Sequence, residues 1–277
     1  EYAHLFGKHN VDAMLLAEAR DYKVSDFAGY VNNVPFAELP ELSYGKAITS
    51  SSPVSGNSDH TRTAGYVFRL KYDYENTYLA EFSGRYDGSY NFSGNVSSKR
   101  WGFFPSLSVG WRINQMSFMK NTNKWLDDLK LRASIGLLGN DGVPAYSFLN
   151  TYSFGGNRII NGSMVHSLYT TGVPNPELTW SKTRSQNVGF DATLWGGLLS
   201  VEFDVFYNYV YDLLAEMGGD MAPSMGGYYT TWKNYNRYAV KGFEWVLSHR
   251  NKFTLAGKPF NYSASANMTY STSKWLR

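Results

Sequence analysis

Apolar and polar residues alternate with period two in one segment after another, each about ten residues long. In residues 65–74, Tyr66, Phe68, Leu70, Tyr72 and Tyr74 share one face, and Arg69, Lys71 and Asp73 the other. Residues 77–87 repeat the pattern with Tyr78, Ala80, Phe82 and Tyr86 against Glu81, Ser83, Arg85 and Asp87. The same alternation runs through 101–113, 129–137, 185–194, 201–213 and 260–270, and more weakly through 11–20 and 240–248, with a short candidate at 2–6. A period of two is the signature of strands with one apolar face, so the chain is expected to be all-β, with about ten strands.

The connections sharpen this expectation. Those near 7–10, 75–76, 114–128, 195–197 and 250–259 average roughly seven residues, whereas those near 22–60, 88–98, 141–183 and 215–237 average about 29. Short turns at one end of an antiparallel meander and long loops at the other are the layout of an outer-membrane barrel, with periplasmic turns and extracellular loops. Ten-residue strands tilted by roughly 45° climb about 25 Å, the height of the apolar band of such barrels. The longest apolar runs are about five residues, as in 13–17, against the roughly 18 that a spanning helix needs.

Composition agrees. Only 18% of the 277 residues are charged, against a usual fraction of about 25%, and 17% are aromatic. Tyr72, Tyr74, Tyr78 and Trp111 fall near short turns and Tyr86, Trp101, Tyr209 and Tyr211 near long loops, which predicts two interfacial girdles. A soluble sandwich or propeller shares the period, but it has no need of aromatics at both strand ends and seldom carries several loops of this length. The net charge of +3 is too small and too evenly spread for a nucleic-acid surface. With no cysteine, thiolate metal sites, thiol nucleophiles and disulfides are excluded.

Motifs for catalysis are missing. The five histidines lack the HExxH spacing, and neither GxSxG nor a phosphate-binding glycine loop occurs. Carboxylate pairs such as Glu81 with Asp87, or Glu202 with Asp204, have the chemistry to flank a glycosidic bond, but Arg69, Lys71, Arg85 and Arg132 stand ready to neutralise them on a polar interior face. No catalytic residue, cofactor or metal is assigned. Pro105, inside a strand, is expected to mark a bulge or bend. Gly189 is expected to permit close packing, and Asn175-Pro176-Glu177 to form a turn. Aromatic rings stack on sugar faces, so the loop residues Tyr90, Phe92, Trp180, Tyr228, Tyr229 and Trp232 are the binding candidates, with packing inside their own loops as the competing role.

Several motifs add a resemblance. Arg85-Tyr86-Asp87-Gly88-Ser89, Arg100-Trp101-Gly102-Phe103-Phe104-Pro105-Ser106 and Gly110-Trp111-Arg112 are followed by Leu129-Lys130-Leu131-Arg132-Ala133-Ser134, Gly139-Asn140-Asp141, Asn175-Pro176-Glu177-Leu178-Thr179-Trp180, Asn187-Val188-Gly189-Phe190-Asp191, Asp212-Leu213-Leu214 and Lys241-Gly242-Phe243-Glu244. In this order they resemble the SusC/RagA family of TonB-linked outer-membrane transporters. The resemblance implies an internal portion, middle to late strands, of a 22-stranded barrel, with residues 1–277 in one barrel domain and the plug and remaining strands outside the chain. It further implies TonB-dependent import of oligosaccharides or peptides across the outer membrane of a Gram-negative bacterium. The implied partners are a SusD-like surface lipoprotein and the TonB system. Ile135, where the family favours Tyr, and Val210-Tyr211 before Asp212 depart from the pattern. The alternatives are a stand-alone ten-stranded barrel serving as pore, adhesin or surface protease, and a soluble carbohydrate-binding β domain. The portion reading predicts no ladder between residues 1–7 and 260–272, whereas the small closed barrel requires one.

Overall fold

The computed structural model describes residues 1–34, 38, 46–47, 54–122, 124–170, 172–218 and 230–276. Ten strands form the main sheet: β1 (Tyr2–Phe6), β2 (His9–Gly29), β5 (Val54–Tyr74), β6 (Tyr78–Ser89), β7 (Trp101–Arg112), β8 (Leu126–Asn140), β11 (Ser181–Leu194), β12 (Leu199–Met217), β13 (Thr231–Leu255) and β14 (Lys258–Leu276). Their hydrogen-bonded order is their sequence order, which makes a meander. Its two terminal members are β1 and β14, with no ladder joining them among the described residues. Two small ladders are separate: β3 (Val31–Asn32) with β4 (Lys46–Ala47), and β9 (Tyr152–Ile160) with β10 (Ser163–Thr170).

By contacts the chain divides into two compact units. One comprises Glu1–Glu18 and Gly65–Arg277, and the other Ala19–Ala64. In the second unit Asp21 accepts hydrogen bonds from His60 Nε2 at 2.6 Å and Arg62 Nε at 3.0 Å, tying the two halves of a ribbon together. Everything below concerns the first unit.

Residues directly opposite in an antiparallel ladder project to the same side, so the registers sort the side chains. One row crosses seven strands as Ala80, Val109, Ala133, Val188, Val205, Phe243 and Tyr270. The adjacent row reads Leu79, Gly110, Arg132, Gly189, Asp204, Glu244 and Thr269. Apolar and polar faces therefore alternate as the sequence predicts, and Phe68 joins the apolar one through ring contacts with Phe82 at 5.4 Å and Phe103 at 6.1 Å. The girdles are present as well. Tyr78 stacks on Trp111 at 6.3 Å near the short turns, and Tyr86 on Trp101 at 5.0 Å near the long loops.

Four short turns carry positive φ on consecutive residues: Glu75 and Asn76, Asn161 and Gly162, Trp195 to Gly197, and Ala256 and Gly257. Such turns match the right-handed twist of the strands they join. The first is tied to its neighbour, since the Glu75 N–H donates to the Lys8 carbonyl at 3.0 Å and its carboxylate holds the Lys8 ammonium, raising the Lys8 pKa above the ordinary value.

Two expectations are corrected. Pro105 marks no bulge, since its register with β6 passes through Gly84 without a shift. It marks the end of a ladder instead. The β7–β8 pairing stops at Ser106 and Gly136, although β7 begins at Trp101 and β8 continues to Asn140. The second correction concerns the loop 141–183, which contains the β9–β10 hairpin.

Candidate functional site

The polar face is held by ion pairs that cross from strand to strand. Arg132 on β8 donates from Nε and Nη2 to Asp191 Oδ1 on β11, at 3.0 and 2.7 Å, and from Nη2 to Asp204 Oδ2 on β12 at 2.9 Å. In the register Gly189 stands between Arg132 and Asp204, so the guanidinium reaches two strands away across a residue with no side chain. A Cβ at 189 would lie 2.3 Å from Asp204 Oδ1 and 2.5 Å from the Phe203 carbonyl oxygen. This is the close packing that the sequence suggests for Gly189.

Further along the same face, Arg69 meets Asp12 at 3.3 Å, Lys71 meets Glu81 at 3.8 Å, and Arg85 grips Asp87 through Nε at 3.0 Å and Nη2 at 2.9 Å. The carboxylates weighed as a glycosidase pair are thus largely engaged by cations: Asp87, Asp204 and Glu81 all have such partners. A concavity of about 560 Å³ lies on this wall, bordered by Asp12, Lys71, Glu81, Ser108, Arg132 and Asn187. Buried Arg69 Nε, Asp204 Oδ1 and Asn208 Oδ1 have no hydrogen-bond partner among the described residues.

At the long-loop end the connections fold around a small core. Phe92 and Leu178 are fully buried with Phe104, Val143 and Trp180, and Leu137, Leu214 and Trp232 pack around them. The Phe104 ring fills the space beside Gly102 and Gly139, where added Cβ atoms would come within 2.4 and 2.1 Å of it. It therefore occupies the region where the β7–β8 ladder has ended. Polar contacts link two connections to each other and to β12 and β13. Ser89 Oγ donates to Asp141 Oδ2 at 2.6 Å, and Asn91 Nδ2 to the Asp141 carbonyl at 3.0 Å. Thr179 Oγ1 donates to the Lys99 carbonyl at 3.1 Å. Asn234 accepts from the Thr179 N–H at 3.0 Å and donates to the carbonyls of Thr179 at 2.7 Å and Asp212 at 2.9 Å.

The structure distributes the aromatic candidates unevenly. Phe92, with no exposed surface, and Trp180, at 7%, are part of the loop core and offer no free ring face. Their competing role, packing, is the one observed. Trp232 is half-buried against that core, and its carbonyl accepts from Asn175 Nδ2 at 2.7 Å. Tyr90 is half-buried and meets Tyr146 edge-on at 6.2 Å. Tyr228 and Tyr229 lie outside the described residues. Asn175 forms the expected turn, accepting from the Glu177 N–H at 3.0 Å. Sequence reasoning missed Asp141 and Asn234, which single residues in polar loops do not announce. It also missed Tyr152 and Tyr169, exposed on the β9–β10 hairpin, although the Asn161-Gly162 pair between them is a hairpin signal.

A meandering sheet that is apolar on one side and ion-paired on the other, with aromatic girdles, short turns and long interlocked loops, defines the wall of an outer-membrane β-barrel. The chain belongs to the TonB dependent receptor-like, beta-barrel family, whose model matches residues 3–276. It is 27% identical over 284 residues to TonB-dependent receptor P3 of Formosa agariphila, covering 100% of this chain and 26% of that protein. It is 31% identical over 209 residues to TonB-dependent receptor SusC of Bacteroides thetaiotaomicron, covering 74% of this chain and 20% of that protein. Among solved structures it superimposes on the RagAB peptide transporter with a TM-score of 0.80 at 23% identity, covering 100% of this chain and 29% of the other. The chain thus spans about a quarter or less of the length of these relatives. Such barrels reside in the outer membrane of Gram-negative bacteria.

Proposed function

We propose that these residues form part of the wall and outer loops of an importer that takes oligosaccharides or peptides across the outer membrane. The whole protein is energised by the TonB system and served by a SusD-like surface lipoprotein, and it carries its plug and remaining strands outside residues 1–277. The observation that carries this reading is the polar face. Its ion pairs neutralise one another, and Asp12, Lys71, Glu81, Ser108, Arg132 and Asn187 line its concavity with charged and polar groups, as suits a wall against which a second polar body rests. Tyr90, Trp232, Tyr228 and Tyr229 remain the proposed ligand contacts. Of these, Trp232 packs against the loop core that holds Phe92 and Trp180.

Uptake by intact cells tests the reading. Cells with and without the gene are given labelled oligosaccharide and peptide pools, with and without collapse of the proton gradient. Gene-dependent accumulation that stops when the gradient collapses is the expected result. Accumulation indifferent to the gradient would identify a passive pore, and cleavage of the label at the surface would identify an enzyme.

A further inference from the structure

On the lipid side the chemistry changes abruptly toward the long-loop end over four neighbouring strands. Beyond the apolar row that ends in Val188, Val205, Phe243 and Tyr270 comes Gln186, Tyr207, Lys241 and Thr272, then Arg184, Tyr209, Ala239 and Lys274, then Lys182 opposite Tyr211. Four cations thus share the side of the sheet that carries the apolar band. On β6, β7 and β8 the same rows hold Phe82, Leu107, Ile135 and Leu137, none of them charged. The basic patch therefore does not extend onto β6, β7 or β8.

The patch is built as well as charged. Tyr209 and Tyr211 stack at 5.5 Å, Lys182 Nζ lies 5.8 Å from the Tyr211 ring centre, and the Arg184 guanidinium lies 5.7 Å from that of Tyr209. Lys182 also meets Asp212 at 3.5 Å. Arg184, Lys241 and Lys274 form no ion pair among the described residues. Beside them a cleft of about 420 Å³ is lined by Tyr209, Tyr211, Asp212, Tyr235, Asn236, Arg237 and Leu276, where the Asp212 carboxylate is met by Lys182. Tyrosines at this level sit where acyl chains give way to headgroups, and long cationic side chains reach outward from there to meet anionic groups.

We propose that this face, Lys182, Arg184, Lys241 and Lys274 around the Tyr209–Tyr211 stack, is a docking surface for phosphate-bearing lipid headgroups of the outer leaflet. Charge complementarity and continuity with the lipid-facing apolar band commit the site to a lipid, since a soluble anion would have to reach cations that stand at the bilayer edge. The cleft takes the headgroup, and the aromatic stack bears on its first apolar segment. This site lies on the side opposite the ion-paired wall and does not depend on what is transported.

The test uses the full-length protein in neutral detergent, exchanged free of endogenous lipid and titrated with bisphosphorylated lipid A while native mass spectrometry counts bound lipid. The variant Lys182→Gln/Arg184→Gln/Lys241→Gln/Lys274→Gln is compared with a control that neutralises Lys8, Lys252 and Lys258 at the short-turn end. The four-site variant is expected to lose lipid affinity, on the order of fivefold for each cation removed, while the control keeps it. Dephosphorylated lipid A is expected to bind poorly to both, and inorganic phosphate is expected not to compete. Equal retention by the wild type and the four-site variant would overturn the proposal, as would binding indifferent to dephosphorylation. Competition by inorganic phosphate alone would replace the lipid site with a free-anion site. Heat-modifiable electrophoretic mobility checks that each variant is folded, and single Lys241→Gln and Lys274→Gln variants repeat the comparison with minimal disturbance.

Discussion

The indole N–H of Trp180 donates to the backbone carbonyl of Arg100 at 3.0 Å, across eighty positions of sequence. Arg100 in turn donates from Nε and Nη2 to the carbonyl of Phe92 at 3.1 and 3.0 Å. A single chain of hydrogen bonds therefore runs from the β8–β11 connection into the β6–β7 connection, with the Phe92 and Trp180 rings 5.4 Å apart beneath it.

Replacing Trp180 with Phe keeps most of the packing and removes this bond, so the loop core should lose about 1 kcal/mol of local stability. Phe92→Ala opens a cavity in the same core and should cost about 3–5 kcal/mol. Hydrogen exchange of amides in residues 89–100 and 172–180 is the measurement, and both segments should respond to either change. A response confined to the segment that carries the substitution would show that the two loops are independent.

On the polar face, Gly189→Ala places a methyl group against Asp204 and the Phe203 carbonyl, and a destabilisation of about 1–3 kcal/mol is expected. Arg132→Ala strands Asp191 and Asp204. With the guanidinium one-third exposed, its effect should fall near the low end, about 1–2 kcal/mol. In denaturant titrations of the protein refolded into micelles, adding Asp204→Asn to Arg132→Ala should recover part of the loss. No recovery would mean that the ion pair is not what the arginine contributes.

Phe82 stands 44% exposed on the apolar face. Phe82→Arg should destabilise the membrane-inserted protein by about 2–4 kcal/mol if the side chain lies near the bilayer midplane, whereas Ser83→Arg on the polar face should have a much smaller effect. Refolding titrations into lipid vesicles compare the two. Equal costs would invert the assignment of faces.

Trypsin added to intact cells should cut at Arg158 in the β9–β10 hairpin and spare Lys120 and Lys124, which lie in the connection at the other end of the strands. Permeabilising the outer membrane should expose the lysines. Peptide mapping reads the sites, and cleavage at Lys120 before Arg158 would reverse the topology.

Within the bilayer the sequence is legible because lipid enforces it. A face that meets hydrocarbon must be apolar and its neighbours must not, so Phe82, Val109 and Val205 could be placed from period alone. Outside the bilayer that pressure ends. β13 continues well past the expected 240–248, to Thr231–Leu255, because pairing there needs only a backbone partner and leaves no alternation to detect. The loop aromatics were visible as a class, but their burial was not. Whether Phe92 meets solvent depends on Leu178 and Trp180, more than eighty positions away, and on glycines at 102 and 139 that make room for Phe104.

The β6–β7 and β8–β11 connections share that one buried core and one set of cross-links. Neither can open alone without breaking contacts that belong to the other, so the pair has fewer independent motions than two separate loops. Local opening should then proceed as one cooperative event with a single rate, the behaviour of one folding subunit and not of separate surface segments. A force or a ligand acting near Asn175 is felt at Asn91 through Asn234, Thr179 and Trp180, and the outer rim answers it as a single mechanical part.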